Sequence, residues 1–415
     1  MALCFRAQSG SWFAPSSFMG LLWSVYLVSS LLALDSQIPP LGIWVIAAFV
    51  GVIQSAAALA EHEAERPTQA MSPHVPYMES LRVWLGRSCC VSILLSIAAC
   101  VFFVRSSLDL FDLPLNFLSL LRIGGLWTMQ RYNFMTDPWP LRIAAIWPYP
   151  PALLGGILWG LAVRRFDKAV ALVALLPSLL ISLLLGGRIG FVLGLALWLG
   201  GSWTTERART GARRRLVNAS TLTVAVGLAA GLLFFFIFMF GFRSLADPQN
   251  DVVLVANGGQ IRNYIFGSPA AFAHWLDNSE RGPLGWGGLS FPGIFDVTGL
   301  RPRTIGTYLD HANTTTMEST NIFTMFRGLI EDFSFPGAFL ICGVWGFLSG
   351  WAYSKPSFRC VLVSSAFYAV ALFSPLYNVL GFNSSIFAFV VAWLVLKYGT
   401  RRAAALPSKQ SLIRT

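Results

Sequence analysis

The stretch Ala169–Trp203 reads AVALVALLPSLLISLLLGGRIGFVLGLALWLGGSW and contains a single charged residue, Arg188. A helix that crosses a bilayer needs roughly 17–25 mostly apolar residues. These 35 residues are therefore long enough to cross twice, and Gly186-Gly187 before Arg188 predicts a tight turn between the two crossings. The stretch indicates an integral membrane protein.

The composition of the whole chain agrees with this reading. Of 415 residues, 55% are hydrophobic and 12% are charged, and the mean hydropathy is +0.62. Such values exclude the soluble enzyme folds. The net charge of +11 reflects, in a membrane protein, topology and lipid headgroups rather than nucleic acid. The six cysteines fall in or beside apolar stretches, so no disulfide framework is predicted.

Ten apolar runs of spanning length predict an all-α polytopic membrane protein with ten transmembrane helices. The runs are 18–34, 42–60, 88–104, 142–163, 169–186, 188–204, 217–241, 336–354, 359–376 and 380–398. In the fourth run, three prolines within Trp147–Pro151 predict a broken helix. No internal repeat is visible, so an inverted-repeat transporter is not favoured.

Basic residues set the expected orientation, because loops rich in Lys and Arg stay in the cytoplasm. With the N-terminus inside, 19 of the 30 Lys and Arg residues fall on the cytoplasmic side, and both termini are then cytoplasmic. We expect four parts: a seven-span part (1–241) with an interfacial amphipathic helix near 115–135, an outer loop (242–335), a three-span part (336–398) and a basic tail (399–415). The outer loop, with 94 residues, is too long to be structureless unless it is functional, and short helices are expected in it.

Arg188 admits two interpretations. Its side chain either snorkels from a turn to the headgroups, or holds a guanidinium at the membrane edge to bind a phosphate or pyrophosphate in a bidentate manner. The residue type alone does not decide between them.

The outer loop carries the other candidates for chemistry. Arg301-Pro302-Arg303 could hold two guanidiniums against one polyanionic group, although charged loop residues are more often simply solvated. His311 could act as a general base or a hydrogen-bond donor, or be a structural loop histidine. If 319–332 is helical, Asn321, Thr324 and Asp332 approach one face, and Phe323, Arg327 and Ile330 share another.

Metal and nucleotide signals are weak. Glu61-His62-Glu63-Ala64-Glu65-Arg66 resembles a zincin helix only superficially, because Arg66 stands in place of the second histidine. Asp109 and Asp112 form at best a poor site for a divalent ion, and no phosphate-binding fingerprint is present. No metal site and no cofactor are predicted, so phosphate chemistry would rest on arginine.

Three stretches carry a resemblance to a known family. They are Gly186-Gly187-Arg188 at the start of a span, Tyr264–Phe272 (YIFGSPAAF), and Thr320–Thr324 (TNIFT) leading to Glu331–Gly337 (EDFSFPG) before the next span. They resemble, in order and in expected side of the membrane, the Wzy-type polymerases of bacterial O-antigen and exopolysaccharide repeat units. Ser334 departs from the pattern, since glycine is common at that position, which suggests an altered helix entry rather than lost activity.

The resemblance implies a GT-C-like fold in the bacterial inner membrane and a metal-independent glycosyltransferase that acts at the periplasmic face. The donor and the acceptor would both be undecaprenyl-pyrophosphate-linked oligosaccharides, with a Wzz-type chain-length regulator as a further partner. Catalytic candidates are Arg188, His311, Glu318 and Asp332, the last three being alternative proton acceptors. Substrate-binding candidates are Arg262, Tyr264, Arg301, Arg303, Tyr308, Asn321 and Arg327.

Two other functions remain open. An O-antigen ligase would use the same lipid-linked donor but transfer the glycan to lipid A core. A transporter of lipid-linked oligosaccharides is less favoured, because no Asp or Glu lies at mid-depth in the ten runs, where coupled carriers commonly place one.

Overall fold

The computed structural model describes residues 2–34, 38–63, 75–132, 138–185, 187–210, 231, 262–278, 282–298, 308, 310–313, 319–355, 357–358 and 360–405. Most of these residues are helical. One two-residue antiparallel pairing joins β1 (Ala312–Asn313) to β2 (Ser319–Thr320).

The helices follow one another along the chain with short connections where these are described. They are α1 (Ala2–Ser9), α2 (Pro15–Ala33), α3 (Pro40–Glu63), α4 (Val75–Leu110), α5 (Phe117–Tyr132), α6 (Trp139–Ile146), α7 (Pro150–Leu161), α8 (Arg165–Val173), α9 (Leu176–Leu184), α10 (Arg188–Thr210), α11 (Ser268–Asn278), α12 (Pro292–Thr298), α13 (Met325–Ser354), α14 (Val361–Phe373) and α15 (Asn383–Ala405).

Seven helical segments among the described residues are long and apolar enough to cross a membrane. They are Pro15–Ala33, Pro40–His62, Tyr77–Leu110, Trp139–Leu161, Arg165–Leu184, Met325–Ser354 and Asn383–Ala403. Their outward faces expose large apolar side chains such as Leu32, Trp44 and Leu94, which lipid would cover. The chain is a multi-pass membrane protein.

The other three predicted runs are not among these seven segments. Residues 188–204 form the first part of α10, and residues 359–376 contain only the shorter apolar helix α14. The run 217–241 lies outside the described residues except for residue 231.

Two of the spanning segments are broken near prolines. Residues 147–149 separate α6 from α7, as the three prolines predicted. The run 169–186 was expected to be continuous, but α8 ends at Val173 and α9 begins at Leu176, with Pro177 in its first turn. Proline fits that position because the first turn has amide groups without helical partners.

The longest helix, α4, has 36 residues and carries charges near both ends. Arg82, only 4% exposed, contacts Asp167 of α8. Arg105 pairs with Asp109 at 3.2 Å on an open surface, and Arg87 is also exposed. Between Arg87 and Arg105 the helix contains no charged residue.

Glycines allow α13 to pack closely on α3. A Cβ placed on Gly346 would meet the backbone of Ile53, and one on Gly350 would meet the backbone of Ala57. Small residues spaced by four let two helix backbones approach within a membrane. Gly343 lies outside this seam, because its Cβ would only touch Val52 Cγ1 at 3.6 Å.

The helices place two different sets of residues at the two ends of the bundle. We call the end where the described residues of 262–298 and 308–335 pack the loop end. The opposite end, the basic end, carries Arg82, Arg207 and Lys355; Arg207 Nε donates to Tyr353 O at 3.0 Å there.

Two boundaries near the predicted outer loop can be compared with the structure. Helix α5 (Phe117–Tyr132) lies in the stretch 115–135, and its Trp127 Nε1 donates to Ser107 Oγ of α4 at 2.9 Å. Helix α13 begins at Met325, ten residues before the expected end of the outer loop at residue 335. That helix is interrupted at Ser334, whose φ of 60° and ψ of 177° fall in a region that glycine alone adopts readily.

Candidate functional site

The loop end is fastened to the spanning helices through α11 and the residues before it. Tyr26 of α2 donates its hydroxyl to Ile265 O at 2.5 Å. Ser268 donates to Pro375 O at 2.5 Å and also contacts the Tyr26 hydroxyl. Residues 268–273 are buried, so this part of the loop packs as a structural element against the membrane helices.

Asp332 holds the segment 285–290 against α13. Its carboxylate is completely buried and accepts the backbone N–H groups of Leu289 at 3.0 Å and Ser290 at 2.5 Å. The Gly285 and Trp286 amides donate to the backbone carbonyls of Glu331 and Asp332. A Cβ on Gly285 would collide with Asp332 Oδ1, so glycine permits this close approach.

The same segment is held from its other side by the residues that follow α14. Tyr377 donates its hydroxyl to Leu289 O at 2.6 Å, and Asn378 Nδ2 donates to Ser290 O at 2.9 Å. Burial, reinforced by the nearby Asp332 carboxylate, raises the pKa of Tyr377 above its ordinary value, which keeps this donor protonated. The segment 285–290 therefore bridges α13 and the chain near residue 377.

Arg327, in the first turn of α13, is the centre of a buried polar cluster. It is only 5% exposed. Its Nε donates to Glu331 Oε1 at 2.9 Å, and its Nη2 lies 2.8 Å from Asp310 Oδ2. The guanidinium carbon lies 3.8 Å from the Tyr308 ring centre and 4.0 Å from that of Phe323. Aromatic faces attract cations in such a geometry, so the guanidinium is fixed in position and orientation.

Some polar atoms of this cluster have no hydrogen-bond partner among the described residues. They are Arg327 Nη1, the Tyr308 hydroxyl and Thr324 Oγ1, all buried. Burial raises the pKa of Tyr308 well above its ordinary value, so the hydroxyl remains a donor. Buried polar groups are usually paired, and exceptions occur where a ligand is bound. We call Arg327, Tyr308 and Thr324 the arginine cluster.

Several of the substrate-binding residues expected from the sequence meet in or beside the arginine cluster. Asn321 Nδ2 donates to Tyr308 O at 3.2 Å. This bond supports the backbone of Tyr308, whose ring stacks on Arg327. Arg262 and Tyr264 lie in the helical stretch 262–266, both half-buried, just before α11.

The catalytic candidates are distributed differently. His311 is exposed and follows Asp310, the residue that pairs with Arg327. Arg188 is the first residue of α10, and its side chain lies outside the described part. Glu318, Arg301 and Arg303 also lie outside the described residues.

The condition that 319–332 is helical is met only in its second half. Ser319 and Thr320 form β2, residues 321–324 are extended or irregular, and the helix begins at Met325. Asn321 and Asp332 therefore do not share a helix face. Sequence reasoning also missed Glu331 and Asp310 as partners of Arg327, although the spacing Arg327 to Glu331 is that of an ion pair on one helix face.

Among the described residues, no three His, Cys, Asp or Glu side chains are grouped as metal ligands would be. Glu61, from the zincin-like stretch, accepts Ser16 Oγ at 2.8 Å and Ser16 N at 3.1 Å. That carboxylate therefore joins α3 to the start of α2.

No protein-family model, curated protein or solved structure matches the chain.

Proposed function

We propose that this chain is a bacterial inner-membrane glycosyltransferase that polymerises undecaprenyl-pyrophosphate-linked oligosaccharide repeat units at the periplasmic face. The proposal includes ten spans in a GT-C-like arrangement, both termini in the cytoplasm and residues 242–335 outside. The product would be an O-antigen or exopolysaccharide chain. The topology rests on the distribution of Lys and Arg, and the activity rests on the Wzy-like stretches.

The observation that carries the proposal is the arginine cluster. It lies at the loop end, and its Thr324 and Arg327 fall in the segment 320–337 whose sequence resembles the Wzy-type polymerases. It presents a guanidinium that is oriented by Glu331, Asp310 and two rings, and one of its N–H groups has no partner in the part of the chain that the structure describes. Donors fixed in advance are what transfer from a lipid pyrophosphate requires, because charge develops on the leaving group.

In the proposed reaction, a hydroxyl of the non-reducing-end sugar of one lipid-linked repeat unit attacks the anomeric carbon of the growing chain. A new glycosidic C–O bond forms, and the bond from the anomeric carbon to the lipid pyrophosphate breaks. The pyrophosphate lipid leaves with the electron pair, and a base takes the hydroxyl proton. Guanidiniums would offset the charge on the leaving group without a metal ion.

The residues divide into three roles in this proposal. Arg188, Arg301 and Arg303 would bind the pyrophosphate. Arg262, Arg327, Tyr264, Tyr308 and Asn321 would form the wall for the sugar and phosphate groups. His311, or else Glu318, would accept the proton.

Asp332 fits an anchoring role better than that of proton acceptor. It is fully buried and both carboxylate oxygens lie within hydrogen-bond distance of backbone amides. A general base must reach the proton that it removes, so we assign Asp332 to holding the segment 285–290.

The test is the length distribution of surface glycan in a strain that lacks this gene, complemented with wild type, Arg188→Ala or Arg327→Gln. We expect single repeats on deletion, long chains with wild type, and single repeats with either variant. Arg188→Lys should fail nearly as completely, since an ammonium cannot reproduce the planar fork. Arg105→Gln is the matched control, because Arg105 is an exposed loop-end arginine outside the cluster and should support long chains.

Other outcomes would contradict the proposal and indicate a different activity. If the deletion strain accumulates polymer on the lipid carrier and attaches none to lipid A core, the protein is a ligase. Accumulation of repeats on the cytoplasmic leaflet would indicate a transporter. Long chains of normal yield from Arg188→Ala would show that Arg188 has no catalytic role and only helps to orient the helices in the membrane.

A further inference from the structure

A second polar site lies at the basic end, remote from the arginine cluster. A small pocket, open to solvent, lies where the C-terminal ends of α10 and α13 meet the start of α14. Its polar lining comprises Thr204, Arg207, Tyr353, Lys355, Ser357 and Ser364. Arg207 and Lys355 are the basic side chains of that lining, and no Asp or Glu is among the described residues that form it.

Arg207 is held rigidly in this pocket. Its Nε donates to Tyr353 O at 3.0 Å, and its guanidinium carbon lies 3.4 Å from the centre of the Tyr353 ring. Its Nη1 is buried and has no hydrogen-bond partner among the described residues. A cation that is oriented by a ring and a carbonyl, with one N–H group unused, is a preorganised anion ligand.

Two further features add positive potential. Lys355 lines the pocket while its Nζ stays 4.3 Å from the centre of the Trp351 ring. Helix α14 starts at the pocket, and Cys360 before it makes no side-chain capping bond, so its first amides keep their positive partial charge. Lys beside Trp is also the pairing that marks the boundary between the lipid tails and water.

We propose that this pocket binds an anionic phosphate group, carried either by the headgroup of an acidic phospholipid or by free phosphate. Arg207 and Lys355 would contact the phosphate oxygens, and the hydroxyls of Ser357 and Ser364 would complete the site. The position at the end of three helices matches the depth of headgroups. The proposal is independent of the glycosyltransferase activity, since the two sites lie at opposite ends of α13.

The test measures thermal unfolding of the purified full-length protein, delipidated in detergent, during titration with phosphatidylglycerol, phosphatidylcholine or inorganic phosphate. We expect phosphatidylglycerol to raise the unfolding temperature more than phosphatidylcholine does. Lys355→Gln should raise the lipid concentration that gives half of the maximal stabilisation roughly fivefold, which is the effect expected of one basic residue near an anionic headgroup. Arg207→Gln should do so at least as strongly.

Lys397→Gln is the matched control. Lys397 also lies at the basic end over a tryptophan, 4.5 Å from the Trp393 ring centre, but outside the pocket, so its response should equal that of wild type. If Arg207→Gln fails to fold because its stacking on Tyr353 is lost, the exposed Lys355 still provides the test. Stabilisation by phosphate alone, lost in Lys355→Gln, would support the site and identify free phosphate as its source. Equal responses of wild type and Lys355→Gln to every probe would overturn the proposal.

Discussion

The guanidinium carbon of Arg327 lies 3.8 Å from the centre of the Tyr308 ring. The ring is backed by α13 itself, because a Cβ on Gly328 would lie 3.1 Å from the Tyr308 hydroxyl. The ring therefore fixes the cation. The Tyr308 hydroxyl is buried, has no partner among the described residues and takes no part in holding the cation. Ring and hydroxyl can be tested separately.

Tyr308→Phe keeps the ring and removes only the hydroxyl. We expect the free energy of unfolding to change by less than about 1 kcal/mol, because an unpaired buried hydroxyl contributes little to folding. Glycan chains should nevertheless shorten if the hydroxyl contacts substrate. Tyr308→Leu should lose the cation–ring contact and about 1 kcal/mol of stability as well. Full-length glycan from Tyr308→Phe would show that the hydroxyl has no role in the reaction.

Asp332→Ala removes the acceptor for two backbone amides of the segment 285–290. We expect a loss of about 2–4 kcal/mol, since each unpaired buried donor costs on the order of 1–3 kcal/mol. Asp332→Asn retains one acceptor oxygen and should lose less. The measurement pairs thermal unfolding with the pH profile of polymer synthesis in membranes. An unchanged profile in Asp332→Asn fits an anchor, whereas loss of synthesis with normal stability would make Asp332 the proton acceptor.

Gly346→Ala places a methyl group against the backbone of Ile53. We expect destabilisation by about 1–3 kcal/mol, the usual cost of overpacking a tight interface, and α3 and α13 should separate. Gly343→Ala, three residues earlier, meets only Val52 Cγ1 at ordinary distance and should be tolerated. The comparison is made by unfolding in detergent. Equal stability of the two variants would contradict a close crossing at Gly346.

Ser334→Gly should stabilise the protein. A non-glycine residue at φ 60° and ψ 177° carries strain of about 1–3 kcal/mol, which glycine relieves. Polymer synthesis should remain unchanged, because the break in α13 is preserved. Ser349→Gly is the control of opposite sign: Ser349 is buried within the regular part of the same helix, where glycine costs about 0.5–1 kcal/mol. A lower unfolding temperature for Ser334→Gly would contradict the strained conformation.

Much of the fold could be predicted because apolar length is a strong signal in a membrane protein. The runs at 42–60 and 88–104 lie within α3 and α4, and the prolines after Trp147 break the helix as expected. The break before Pro177 was missed because an apolar run has the same composition whether its helix is continuous or not. Helix ends were least predictable. Helix α13 begins eleven residues before the apolar run at 336, because its charged residues Arg327 and Asp332 find their partners at the loop end.

The candidate site could be predicted only in part. Arg327, Tyr308 and Asn321 were selected from the sequence and lie together in the structure. The partners Asp310 and Trp275, whose ring centre lies 5.1 Å from the Arg327 guanidinium carbon, could not be, because they come from other segments of the chain. The glycine seam at Gly346 and Gly350 was likewise visible only once α3 lay against it.

The uncharged part of α4 sets a length that the surrounding lipid must match. Between the exposed Arg87 and Arg105 lie 17 residues, about 26 Å of helix at 1.5 Å per residue, against a usual hydrocarbon thickness of about 30 Å. The two arginines can extend toward water, but the lipid beside this helix must still compress by a few ångström or the helix must stay nearly upright. Membranes made of shorter acyl chains should therefore suit the protein better than thick ones.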